Sequence, residues 1–122
     1  MKLTKYIQEK QQSNIKIRGI SVSLRCEEQK YATYKQGIGL AFSKVPKNLT
    51  LNIKNIVVSE SEYLKKRKLQ ALFNNGTIFL SDEHEDAADV VDDVVHEIAH
   101  SVEERYEKEI YSDLKIEKEF LN

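Results

Sequence analysis

Residues 94–106 read VVHEIAHSVEERY, with His96 and His100 four positions apart and Glu97 directly after the first histidine. The stretch belongs to a longer pattern. From residue 82, DEHEDAADVVDDVVHEIAHSVEERYEKE places Ala87, Val90, Val91, Val94, Val95, Ile98 and Val102 at intervals of three and four. That period predicts an amphipathic helix, and its acidic start suits the positive end of the helix dipole. Side chains four apart lie one above the other on a helix, so His96 and His100 can bring two imidazole nitrogens to the ~2.0–2.1 Å that zinc requires. Glu97 is rotated away from that line. It is poorly placed as a ligand of the same ion but well placed to take a proton from water held there. This is the H-E-x-x-H arrangement, in which zinc lowers the pKa of its water and the glutamate is the general base. The plainer alternative is a solvated helix face that happens to carry two histidines. The apolar residues Val94, Val95, Ile98 and Ala99 around the pair predict instead that it faces an interior or a cleft, where two unpaired imidazoles need a reason.

A catalytic zinc site needs a third protein ligand and one open position. The metzincin continuation would require glycine and histidine where Glu103 and Tyr106 stand, so that class is excluded. No histidine follows His100, which leaves the carboxylates of the closing segment IYSDLKIEKEFLN: Asp113, Glu117 and Glu119. The spacing predicts a first helix ending near Lys108, a turn around YSD, and a second helix running back past the metal. Glu117 and Glu119 point about 200° apart on a regular helix, so only one can be the ligand. The helical wheel favours Glu117, which shares the stripe of Ile110, Leu114 and Leu121.

At 122 residues the chain is one domain, residues 1–122, with 40% apolar and 32% charged residues and a net charge of -1. Such a balance creates no global field that would draw nucleic acid or anionic lipid. Four basic residues, KKRK at 65–68, read as a solvated loop. The single cysteine, Cys26, excludes an intramolecular disulfide and reads as a core residue; an internal, cytoplasmic location is the expectation. Neither a signal peptide nor an apolar run long enough to span a membrane is visible. Oligomeric state is not legible.

Upstream of the helix the patterns are those of strands. Residues 1–14 read as a polar helix or frayed arm. In GISVSLR, Ile20, Val22 and Leu24 alternate with polar residues, the signature of a half-buried strand. EEQKYATYKQGIGLAFSKV fits both periods, with Gly37 and Gly39 weakening the helix reading. Residues 53–59 are rich in β-branched side chains and predict a strand. KLQALFNNGTIFLSD places an Asn-Gly pair between two apolar runs, the strongest local signal of a tight hairpin. His84, among acids before the helix, reads as solvent-facing. Asp92 and Asp93 read either as acceptors that orient the metal-binding histidines or as an exposed helix face.

These residues resemble the gluzincin zinc metallopeptidases, lethal-factor-like or minigluzincin-like, in which H-E-x-x-H on one helix is completed by a glutamate on the next. EKEFLN is similar to the stretch that carries that ligand, which implies Glu119 as the third ligand beside His96 and His100. Tyr111 is similar in placement to a tyrosine that steadies the oxyanion. The resemblance covers roughly residues 53–122. It implies an α+β, zincin-like fold, a zinc cofactor, Glu97 as general base, a peptide or protein substrate, and TIFLS as an edge strand that binds substrate in extended form. The chain ends three residues after Glu119, where such enzymes continue their helix, and the N-terminal third matches nothing in the family. The rival expectation is a catalytically silent, zinc-stabilised binding or regulatory domain; a metal-free interaction domain would require the histidine pair to be accidental.

Overall fold

The apolar alternation of Ile20, Val22 and Leu24 continues across strands. Val22 is in register with Ile56 and Ile56 with Ile78; Leu24 is in register with Val58 and Val58 with Leu80. All six are at most 1% exposed, so one face of the sheet is a continuous apolar layer. The structure is a computed structural model that describes the backbone of residues 12–121 and the side chains of residues 13–107. It is a mixed α+β fold. Five strands, β1 (Gln12–Ile17), β2 (Ile20–Arg25), β3 (Asn55–Ser59), β4 (Ala71–Asn74) and β5 (Thr77–Ser81), form one sheet in the order β1-β2-β3-β5-β4. The central three are parallel, and β1 and β4 are antiparallel edges. Three α-helices, α1 (Tyr31–Lys44), α2 (Glu62–Lys66) and α3 (Ala87–Leu121), and two short 3-10 turns at Glu28–Lys30 and Lys47–Thr50 complete the described elements.

The ambiguous segment is helical. Tyr34, Ile38, Ala41 and Phe42 lie on one side of α1 and are buried in the same core as Val90, Val91, Val94 and Ile98 of α3. A parallel β2-to-β3 connection needs such a crossover, and burial of this face outweighs the propensity cost of two glycines. Gly37 is there for closeness: a Cβ at that position would lie 2.5 Å from Val90 Cβ and 3.0 Å from the Ala87 carbonyl oxygen. Gly37→Ala is therefore expected to destabilise by about 1–3 kcal/mol, more than the helix propensity it gains, read as a lowered denaturation midpoint.

The hairpin forms where the Asn-Gly pair stands. Asn75 and Gly76 adopt φ of 48° and 82°, as a type I′ turn requires. Residues 12–14 belong to β1, while residues 1–11 lie outside the described ones.

Two expectations fail. TIFLS is β5, and it lies inside the sheet between β3 and β4; the edge is β4, ALFN. Antiparallel pairing through a tight turn sends the first arm of the hairpin outward, because β5 takes the place beside β3. The second failure is the turn near YSD and the separate closing helix: α3 runs unbroken from Ala87 to Leu121. Neither glycine nor proline occurs in those 35 residues, so nothing in the backbone chemistry stops the helix.

Candidate metal centre and its cleft

Asp86 starts the helix that carries the histidines: its Oδ1 accepts the Asp89 amide at 2.9 Å, an N-cap bond that satisfies one of the orphan amides of the first turn. From there Val90, Val91, Val94, Ile98 and Ser101 face the core, and His96, Ala99 and His100 face outward. Of the two sequence expectations for the histidine pair, an interior or a cleft, the structure has the cleft. The cleft has a volume of about 680 Å³ and lies between α3 and the hairpin, with Ala71 and Phe73 of β4 on one wall and His96, Glu97 and His100 on the other.

His96 Nε2 and His100 Nε2 are 3.0 Å apart, their rings nearly perpendicular at 86°. Two nitrogens bound tetrahedrally at ~2.0–2.1 Å would be separated by about 3.3 Å, so the pair fits one zinc ion with little movement. Glu97 is 5% exposed, and its Oε2 has no hydrogen-bond partner among the described residues. Burial pushes its carboxyl above the ordinary range, Asp93 adds to the rise, and the His100 and His96 rings oppose it. An unpaired buried carboxylate costs stability, and Glu97 lines the cleft beside His96 and His100. Among the described residues no third histidine, cysteine or carboxylate joins His96 and His100 in a three-ligand group. The side chains of Tyr111, Asp113, Glu117 and Glu119 lie outside the described ones. Along the unbroken helix, however, Glu119 sits 19 residues after His100, about 28 Å at ~1.5 Å per residue.

His84 is the residue that sequence reasoning misplaced. Its side chain is 2% exposed, with Nε2 2.6 Å from Asp93 Oδ2 and Nδ1 3.0 Å from the Ser81 carbonyl. The Tyr34 hydroxyl donates to the same carbonyl at 2.6 Å and accepts the His84 amide at 3.2 Å. Burial pushes the Tyr34 hydroxyl well above its usual range, which keeps it a donor. This cluster ties the loop of residues 82–86 to α1 and holds Asp93 at the cleft wall. Asp93 is thus an acceptor, as one reading had it, but for His84. No local signal marks this, since Tyr34 is 50 residues from His84. Cys26 is a core residue, 7% exposed, and burial pushes its thiol up.

Compared with known families, curated proteins and solved structures, the chain matches no family model, no curated protein and no solved structure. Among the described residues no helix is long and apolar enough to cross a membrane.

Proposed function

We propose that this chain is a zinc-dependent peptidase of the zincin-like, gluzincin type. The observation that carries the reading is the conjunction of two facing imidazole nitrogens with a buried, unpaired glutamate between them in sequence, all lining one open cleft. His96 and His100 would hold the ion. Zinc bound there would supply Lewis-acid activation of water and of a peptide carbonyl. Glu97, whose pKa is raised by burial, would take a proton from water and return it to the leaving amine. A structural zinc site would have no use for that base.

β4 supports a peptide substrate. The amide of Ser81 donates to the carbonyl of Gln70, so hydrogen-bonded pairing alternates from there and leaves the backbone groups of Ala71 and Phe73 pointing away from β5, along the free edge. An extended chain can pair with them.

Glu119 as third ligand and Tyr111 as oxyanion donor rest on the family resemblance. In the same chain both roles would require α3 to turn back beyond Glu107, whereas its backbone is one unbroken helix from Ala87 to Leu121. The discriminating result is the zinc affinity of Glu119→Gln beside that of Glu117→Gln: the unbroken α3 leads to little change in either, and a large loss in one of them would give that residue the role. The function itself is tested by incubating the full chain with a peptide library, with zinc and with a chelator. Cleavage that disappears on chelation and returns with zinc is expected; about one zinc per chain without any cleavage would favour the silent zinc-stabilised domain.

A further inference from the structure

A second cavity, of about 490 Å³, lies apart from the metal centre, and among the described residues it shares no lining residue with that cleft. Its walls are apolar: Ile20 of β2, Phe42 of α1, and Val45, Leu51 and Ile53 from the connection between α1 and β3. Ile20, Phe42 and Ile53 belong to the buried core, whereas Leu51 is 61% exposed, an apolar side chain that an occupant would cover. Two exposed cations join this lining, Arg18 in the β1–β2 turn and Lys47 at the start of the Lys47–Thr50 turn. Among the described residues neither side chain has an ion pair or a hydrogen bond. The net charge of -1 conceals an uneven distribution: residues 12–26 and 29–59, which supply the described lining, hold lysines and arginines but no aspartate or glutamate. The cavity is therefore electropositive. Arg18 and Gly19 take φ of 51° and 82°, a left-handed pair whose usual first residue is asparagine, aspartate or glycine. The turn does not ask for an arginine, and a positive charge beside the cavity gives it a use. The Lys47 turn is fixed in advance by the Thr50 hydroxyl, which donates to the Lys47 carbonyl at 2.8 Å, and by the Leu49 amide on the Pro46 carbonyl at 3.0 Å.

We propose that this cavity binds a small amphiphilic carboxylate, its acid group held by Arg18 and Lys47 and its apolar body seated against the core-facing walls. The guanidinium fork of Arg18 matches a carboxylate bidentately, and the Lys47 ammonium adds a second positive charge. The volume lies within the ~300–1,000 Å³ of small-molecule pockets, which are mostly apolar with a few polar groups to orient the ligand. Walls from β2, α1 and the connection to β3 make a hollow and not a flat face, which favours a single molecule over the surface of a bilayer. None of this depends on the metal centre or on the peptidase reading.

The test titrates the full chain with decanoate, decanol and decyltrimethylammonium, which share one apolar chain and differ in charge. A chelator is present throughout, so that the carboxylate has no ion to ligate at His96 and His100. Calorimetry is expected to show one decanoate per chain, bound about tenfold tighter than either of the others, with the preference shrinking at ~0.5 M salt. Amide chemical shifts should move at Gly19, Val45 and Leu51 and stay still along the metal cleft. In an Arg18→Asn, Lys47→Gln double variant, where asparagine suits the left-handed turn, decanoate should weaken to the level of decanol. Leu51→Ser, at an exposed position, should weaken decanoate and decanol alike. Equal affinity for the three probes, no binding of decanoate, shifts confined to the metal cleft, or unchanged decanoate affinity in either variant would overturn the proposal. Sedimentation with phosphatidylglycerol vesicles separates the other source of an acidic amphiphile: a chain that pellets with vesicles but ignores monomeric decanoate would give the surface to a membrane and overturn it too.

Discussion

His96→Ala and His100→Ala are each expected to abolish tight zinc binding, with elemental analysis falling from about one zinc per chain to background after dialysis. Among the described residues only these two imidazoles come together at the site, and removing an outer-shell partner alone typically costs 10–100-fold in metal affinity, so loss of a direct ligand should exceed about 100-fold. The fold should survive. Both histidines are exposed, with 48% of the His100 side chain accessible, and neither belongs to the core that joins α1, α3 and the sheet. Thermal melts of the metal-free variants should therefore stay close to that of the metal-free wild type, within the ±0.5 kcal/mol or so common for surface changes. Loss of metal with an intact melt separates a binding role from a structural one. Equal zinc in wild type and both variants would remove the metal centre altogether, and the peptidase reading with it.

How far such a site can be read from sequence depends on whether its determinants are local. The H-E-x-x-H spacing is local because a helix converts a four-residue separation into adjacency, and the facing nitrogens of His96 and His100 are its direct consequence. The Asn75-Gly76 hairpin is local for the same kind of reason: two left-handed residues define the turn without help from the rest of the chain. Strand β2 follows from its alternation of Ile20, Val22 and Leu24. What fails is long-range. The helix or strand ambiguity of residues 31–44 is resolved by the packing of Tyr34 and Ile38 against α3, and the close approach at Gly37 makes sense only once Val90 is opposite it. His84 looks solvated among acids, yet Tyr34, Ser81 and Asp93 bury it. Strand order is equally non-local: that β5 and not β4 pairs with β3 depends on which arm of the hairpin meets the parallel core. β1 escaped because its Ile15 and Ile17 are a short alternation at the end of a polar stretch.

The second large effect concerns Glu97→Gln, for which hydrolysis should fall by roughly 10²–10⁴-fold while zinc binding is kept, because the amide has no basic lone pair to accept a proton from water but leaves both imidazoles in place. The same substitution should make the metal-free protein more stable at neutral pH. The sign follows from linkage. Burial raises the Glu97 carboxyl above its ordinary value, so the folded chain holds this proton more tightly than the unfolded chain does. For a group shifted in that direction, stability is greatest below the ordinary carboxylate range of about 4–4.5 and declines as pH rises through it towards the raised folded value. The amide carries no charge to desolvate, so the variant should be more stable relative to wild type at pH 7 than at about pH 4 and below, where the wild-type carboxyl is protonated. Denaturation curves of metal-free wild type and variant at the two pH values measure it. Greater stability together with lost turnover is the signature of a residue kept for chemistry at the expense of the fold. A variant that cleaved at the wild-type rate would show that Glu97 is not the base, and one less stable than wild type at pH 7 would make it a structural residue whose unpaired oxygen finds its partner elsewhere.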